Sequence, residues 1–410
     1  MAPVTDSFYA RGVMVCRPHD PPPDAARLLV VISDIEMGPG GPIDDFPHSD
    51  WLAGLIGCYN EPPFHDLAVD LVFNGDTFDL HKTSYLGQYP RHVTSEVALG
   101  KMARIAGAHP RFFEGVRRFL DHRGADRRVF FIVGNHDPEL LFPGVQLFIQ
   151  GKLGRYDDVV FPGFSVEVGR VHLEHGSQLD PMFKMDVEQP FITYRGDSVL
   201  NLSWGSVAIL DTVLTLHPLL AFHDRLLPRQ AVFDLLPEVM ELITGAFRQY
   251  YTRDYWKGYF SKDPTRKLSW PMVKELMLRF RKKSTVVSFD DTLQRRLRED
   301  DRIRLYIVGH RHQPGWWNHG DRKILESGCL RNQYMIVDGG KAFRPMPKNY
   351  IEAYLYADGT PARSQHIEVT GPPAPEGYIP DSIFDVLPEV RQQLLRFNRD
   401  SPRRRRRAQR

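Results

Sequence analysis

Runs of apolar residues, each stopped by a short polar cluster, punctuate the first third of the chain. Residues 27–33, Arg-Leu-Leu-Val-Val-Ile-Ser, end in Asp34-Ile35-Glu36. Residues 67–73 end in Asn74-Gly75-Asp76-Thr77-Phe78-Asp79. The run Val129 to Val133 stops at Gly134, expected to turn the backbone, and presents Asn135, His136 and Asp137. Such β-branched and aromatic runs read as buried strands. Residues 94–122 read as helix with a break near Pro110, because Phe112, Val116, Phe119 and Leu120 recur at helical spacing. Strand, helix, strand, helix, strand predicts an α/β core.

Further on, residues 164–174 alternate around Gly169-Arg170 and predict a hairpin running into His175-Gly176 and Asp180. Residues 182–300 lack clear strand signals and read as helices at 198–216, 230–250 and 271–283, separated by prolines. A strand at 303–308 then ends in Gly309-His310-Arg311-His312. Short strands are expected near 323–327, 333–338 and 350–356, and an amphipathic helix at 383–397. The organisation expected is a leader (1–26), a first core part (27–181), a helical cap insertion (182–300), a second core part (301–400) and a disordered Arg-rich tail (401–410).

Composition narrows the function classes. The 410 residues are 42% hydrophobic and 25% charged with a net charge of +2, as for an ordinary soluble globular protein. That balance makes nucleic acid an unexpected partner. Cys16, Cys58 and Cys329 are scattered, which fits a reducing compartment and excludes cysteine-based metal spacing. Neither a signal-peptide pattern nor a long apolar span is present, so a cytoplasmic location is expected. Peripheral contact with an anionic membrane is expected to run through the cap or the arginine block Arg403 to Arg407, which otherwise reads as an inert tail. Phe247-Arg248-Gln249-Tyr250-Tyr251 and Arg279-Phe280-Arg281-Lys282-Lys283 make the cap aromatic and basic. It reads either as a lid facing lipid or phosphate or as ordinary amphipathic helices.

Five strand-like segments end in metal-ligand chemistry: Asp34/Glu36, Asp76/Asp79, Asn135/His136, His175 and His310/His312. Polar residues after strands are usual as turns and caps. Five such endings in one chain point instead to a shared site. Carboxylate, amide oxygen and imidazole without thiolate suit Mn, Fe or Zn rather than a structural zinc site. The set is large enough for two ions, with Mn the first expectation. A metal pair neutralises phosphate oxygens and lowers the pKa of a bound water, which points to phosphoryl chemistry.

Asp-x-Glu, Gly-Asp-x-x-Asp, Gly-Asn-His-Asp, His-Gly and Gly-His-x-His, in this order, resemble the calcineurin-like metallophosphoesterase superfamily. The resemblance covers residues 27–180 and 303–357. It implies a four-layer αββα sandwich with two divalent ions at strand ends, within an α/β (α+β) fold class. By position it implies Asp34 and His312 at a first ion, Asp76 as the bridge, and Asn135, His175 and His310 at a second. It gives His136 the developing phosphate charge or the leaving group, with Asp79 orienting the ring.

The departure is Glu36, where the resemblance implies Asp-x-His. Either Glu36 binds, adding negative charge and favouring a harder ion such as Mn, or it turns away and weakens the first position. His175-Gly176 with Asp180, the helical insertion and Gly38 are similar to UDP-2,3-diacylglucosamine diphosphatases and their larger relatives. They imply cleavage of a pyrophosphate in a nucleotide-linked lipid. The function expected is hydrolysis of a phosphoester or pyrophosphate by a metal-bridging water. A metal-bound scaffold without catalysis and a metal-dependent nuclease are the alternatives. His172 is expected on the strand face opposite His175, Asp137 as a turn cap, Arg311 at substrate phosphate or in solvent, and Asp44, Asp45 and His48 in a loop that lines the cleft or merely closes it.

Overall fold

The computed structural model describes residues 8–10, 13–16, 20–250, 252, 256, 260, 262–265, 270–282 and 290–399. The expected Arg-rich tail, 401–410, and Tyr251 and Lys283 of the cap lie outside them. An N-terminal hairpin pairs β1 (Phe8–Ala10) with β2 (Val13–Cys16). Then follow β3 (Arg27–Ile32), α1 (Ser49–Gly57), β4 (Ala68–Asn74), α2 (Ser95–Ala108), α3 (Pro110–Leu120), β5 (Arg127–Ile132), α4 (Pro143–Leu153) and β6 (Val159–Gly163). Two hairpins come next, β7 (Ser165–Val168) with β8 (Val171–Glu174), and β9 (Phe191–Tyr194) with β10 (Asp197–Leu200). The later strands are β11 (Leu226–Leu227), β12 (Leu305–Val308), β13 (Pro314–His319), β14 (Arg322–Ser327), β15 (Tyr334–Val337), β16 (Ala342–Pro345), β17 (Lys348–Leu355) and β18 (Pro361–Val369).

Two compact units share this chain. The first takes Met1–Ser203, Val286–Arg331 and Pro347–Ala374; the second takes Trp204–Thr285, Asn332–Met346 and Pro375–Arg410. In the first unit, a six-stranded sheet has the order β18-β17-β3-β4-β5-β6 and a five-stranded sheet the order β13-β14-β12-β8-β7. β3 to β6 run parallel, as do β14, β12 and β8, with antiparallel strands at the margins. One apolar core joins the sheets face to face. It takes Leu29, Val31, Val72 and Ile132 from one sheet and Leu173, Leu305, Ile307 and Leu325 from the other.

Both outer faces are covered by helices, as buried parallel strands require. Phe112 of α3 lies 5.3 Å from Phe73 of β4, ring centre to ring centre. On the far side, Leu293 and Leu297 of helix Asp290–Glu299 pack on Tyr306, Val308 and Ile324. The result is a mixed α/β sandwich of four layers, αββα.

The second unit is mainly helical, with the small sheet β11-β15-β16. Helix Leu387–Arg399 packs on helix Pro237–Gln249, where Arg391 Nη2 donates to Glu238 Oε1 at 2.8 Å. Residues 191–200 correct the expectation of a strand-free stretch and of a helix starting at 198. Arg195 and Gly196 both have positive φ, which gives a tight hairpin turn whose twist matches its strands. Helix begins at Trp204.

Candidate metal centre

The parallel strands bring their C-terminal ends to one rim, where such sheets place ligands. β3 delivers Asp34 and Glu36, β4 delivers Asp76 and Asp79, and β5 delivers Asn135 and His136. From the second sheet β8 delivers His175, and β12 delivers His310 and His312. Backbone bonds lock these loops together. Glu36 N–H donates to the Asp76 carbonyl at 2.9 Å, and Gly309 N–H to the His175 carbonyl at 2.7 Å. Side chains complete the frame: Asp76 Oδ1 accepts His136 N–H at 2.7 Å, and Asp34 Oδ2 accepts His310 N–H at 3.0 Å.

Strain concentrates at the same place. Nine described non-glycine residues have positive φ, and five of them are Asp34, Glu36, Asp76, His310 and His312. Each costs on the order of 1 kcal/mol and persists only where surroundings impose it, which is common at functional sites. Gly134 is not among the glycines with positive φ, so the turn expected there does not rest on a left-handed backbone. Its role is space: a Cβ there would lie 2.1 Å from Asp76 Oδ1. Gly309 does the same beside Ser33 and Asp34.

Asp76, Asn135, His175 and His310 form one cluster. His175 Nδ1 lies 3.0 Å from the Asn74 carbonyl, which assigns it the proton and aims Nε2 inward. Nε2 lies 3.0 Å from Asp76 Oδ2 and 3.2 Å from Asn135 Oδ1. Ligand atoms of Asp76, His175 and His310 all lie within 4.8 Å of one another. With a neutral imidazole, three acceptors face each other and need a cation between them, so these residues fit a divalent ion. Without one, a proton serves. Burial lowers the His175 pKa, but Asp76 and Asp34 outweigh it and push it up to about 9. Burial likewise raises Asp76, yet His175 and His136 hold it well below the carboxylate range. Asp180 Oδ2 stands 3.4 Å from His310 Nε2.

Asp34, Glu36 and His312 form a second cluster. His312 Nε2 is 3.1 Å from Asp34 Oδ1 and 3.3 Å from Glu36 Oε1. Asp34 Oδ1 is buried, and His312 Nε2 is its only close polar neighbour among the described residues, which leaves room in its acceptor capacity for an ion. Glu36 differs. Its Oε1 accepts from Arg331 Nη1 at 2.6 Å, and its Oε2 from Lys82 Nζ at 3.3 Å. Asp45 braces both cations: Arg331 Nη2 is 2.9 Å away, and Lys82 donates to the same oxygen. Lys82 also pairs with Asp79 at 3.1 Å. Lys82 and Arg331 stand outside the five strand-end motifs. Lys82 follows Asp79 by three residues, a usable signal; Arg331, in the loop after β14, carries none.

His136 is the most open of the site's imidazoles, with 20% of its side chain exposed. Its Nδ1 lies 3.1 Å from Asp79 Oδ1, and Glu36 Oε2 is 4.0 Å away. Burial lowers its pKa, but Glu36, Asp79 and Asp76 overcome this and push it up to about 10. An imidazolium held by a carboxylate can stabilise negative charge or donate a proton.

The other residues find structural roles. Asp137 accepts the N–H groups of Thr77 at 2.8 Å and Gly134 at 2.7 Å, tying two site loops. Asp44 accepts from Gly38, Gly40 and Phe46, closing its own loop. His172 stacks on Tyr306, a residue of the outer face, at 4.5 Å. Arg311 pairs with Glu326 at 3.0 Å.

No family model matches the sequence, and no curated protein matches it. Among solved structures, the chain is similar to a conserved uncharacterised protein from Streptococcus pneumoniae described as a predicted phosphoesterase. They are 11% identical with a TM-score of 0.22, over 83% of this chain and 97% of the other. It is also similar to a dimetal phosphatase from Danio rerio, 13% identical with a TM-score of 0.31, over 85% of this chain and all of the other. At such scores neither likeness carries weight; the fold rests on the strand order and packing above.

Proposed function

We propose that this chain is a metal-dependent phosphoesterase, hydrolysing a phosphoester or pyrophosphate bond. The observation that carries the reading is the convergence of acidic, amide and imidazole groups from five strand ends, with one partly exposed imidazole, His136, held by Asp79 at the rim. Asp76, Asn135, His175 and His310 would hold one ion, with Asp34 and His312 toward another; Mn is the expected metal, Fe or Zn the alternatives. Bound divalent ions would neutralise phosphate oxygens and lower the pKa of a water at the site.

The chain's own groups have separate tasks. Asp79 accepts from the His136 ring and orients it. His136 then faces the developing negative charge or gives a proton to the leaving oxygen. His310 and His312, with side chains 11% and 13% exposed, reach the same opening. Asp34, Glu36, Asp76 and His175 are buried and act from behind.

The finer reading, a pyrophosphate in a nucleotide-linked lipid, rests on the motif resemblance. Its setting would be cytoplasmic, with peripheral membrane contact; no helix among the described residues is long and apolar enough to cross a membrane. Vesicle sedimentation with and without residues 402–410 tests a contact through the tail. A catalytically silent scaffold draws support from the ion-paired Glu36, and the His136–Asp79 pair counts against it.

The deciding experiment assays Mn-loaded protein on bis-p-nitrophenyl phosphate, then on nucleotide-diphosphate lipids, cyclic nucleotides, simple esters and single-stranded DNA. Asp76→Asn and His136→Ala are expected to abolish hydrolysis. Near wild-type turnover in either folded variant would overturn the reading.

A further inference from the structure

The buried ion network around Glu36 bears on how metal loads, an inference that rests on the metal-dependent reading above. We propose that the two candidate metal positions are unequal. Asp76, Asn135, His175 and His310 form a tight position. Asp34 and His312 form a weak one, because Glu36 is committed to Arg331 and Lys82 rather than to an ion.

Both oxygens of Glu36 are engaged, one by a guanidinium at 2.6 Å and one by an ammonium at 3.3 Å. Neither cation is a loose surface group. The side chain of Arg331 is 2% exposed and that of Lys82 is 9% exposed, and both are also bound to Asp45. Pulling Glu36 toward an ion would take one of the carboxylates that balance these buried cations and leave Asp45 and Asp79 to do so, which is unfavourable. A dication beside Asp34 and His312 would also stand next to those two fixed positive charges and be repelled. Asp34 Oδ1 faces His312 Nε2 at 3.1 Å with no lysine or arginine on it, so a carboxylate oxygen and an imidazole stay available to an ion, which makes the position weak rather than absent.

At the other position, Asp76, Asn135 and His175 lack these handicaps among the described residues. Among the described residues, Asp76, Asn135 and His175 partner one another, the His136 N–H and the Asn74 carbonyl, with no lysine or arginine paired to them. Asp180 Oδ2 stands 3.4 Å from His310 Nε2, a carboxylate–imidazole contact of the kind that fixes a ligating ring. Arg331 and Lys82 are therefore positioning residues. They hold Glu36 in place and set the affinity of the weaker ion.

The test is titration of the metal-stripped full-length chain with Mn(II), followed by calorimetry and by electron paramagnetic resonance. Wild type is expected to fill one ion per chain before the second, with affinities at least about tenfold apart. Arg331→Gln and Lys82→Gln each release one Glu36 oxygen, so each is expected to tighten the second ion. Both should melt at lower temperature without metal and recover more of that loss with Mn than wild type gains. A purely structural role would lower the melting temperature and leave its Mn dependence unchanged. Two indistinguishable ions in wild type overturn the proposal, as does a weak ion unmoved in both folded variants. Hydrolysis with equal affinities overturns it and leaves the phosphoesterase reading intact. Unequal ions with no hydrolysis of any ester do the reverse.

Discussion

Arg331 Nη1 lies 2.6 Å from Glu36 Oε1, a buried contact across 295 residues of chain. It joins the loop after β14 to the loop after β3, and Arg331 N–H also donates to the Asp34 carbonyl at 3.1 Å. One residue thus fixes both the backbone and the charge of the first ligand loop. With Lys82 and Asp45 it makes Glu36 part of a closed ion network.

The His136–Asp79 pair is expected to act on rate rather than on metal content. Asp79→Asn keeps the side chain's shape but weakens its hold on the imidazolium. A fall in kcat of about 10²-fold or more is expected, in the range of general acid–base contributions. His136→Ala should fall at least as far. Mass spectrometry of the metal-loaded proteins should show wild-type metal content. Lost metal in His136→Ala would mean that His136 acts as a ligand.

Metal binding is expected to release a proton. In the metal-free protein His175 titrates at about 9, so it is charged at neutral pH. An ion can use Nε2 only after displacing that proton. Affinity should therefore rise with pH below about 9, approaching tenfold per pH unit for one proton displaced. Calorimetry in buffers of different ionisation enthalpy reads the proton count directly. Binding without proton release would show that His175 is not a ligand.

Acid should destabilise the fold between about pH 6.5 and 4. Burial lowers His48 and His81 to about 4, with Lys348 adding to the effect at His48. Both are neutral in the native protein and charged when unfolded over this interval. At these two residues the unfolded chain binds more protons, so their contribution falls as pH drops, partly offset by Asp137, which burial and Asp76 push up to about 7. His136 and His175, raised to about 10 and 9, act oppositely in the metal-free protein. Their contribution is full below 6.5 and fades as pH rises through those values. Melting temperature against pH should show both flanks, and His81→Gln should flatten the acid one.

Gly134→Ala should damage the site more than the fold. A methyl group would meet Asp76 Oδ1 at 2.1 Å and Asp76 N at 2.4 Å, so the ligand loop must move. Metal affinity is expected to drop at least about tenfold, with far-UV circular dichroism unchanged. Full metal binding in this variant would show that the Asp76 loop moves without cost to the site.

Much of the sandwich was legible because its strands are short apolar runs, and each ends in a polar cluster. The runs before Asp34, Asp76, Asn135 and His310 lie within a residue or two of β3, β4, β5 and β12 at their ligand ends. The marginal elements were not legible. β13 carries the exposed Trp316 and alternates weakly, and β9–β10 is announced chiefly by Arg195-Gly196. Helix α4 is masked in the sequence, since its apolar residues Val145, Ile149 and Leu153 come after a proline in a stretch rich in turn signals.

Sequence by itself determined which residue types stand at strand ends, because burial demands apolar runs and the turns after them expose polar side chains. It thereby determined the candidate ligands Asp34, Glu36, Asp76, Asn135, His175, His310 and His312, while the pairing of Asp79 with His136 followed from the motif resemblance. Tertiary structure alone decided their environment. A charge buried in a low-dielectric interior takes the nearest counter-charge, and that neighbour is set by loop packing rather than by spacing along the chain. Glu36 is the case in point: an isolated departure in a motif when read along the chain, it is in three dimensions the hub between Arg331 and Lys82.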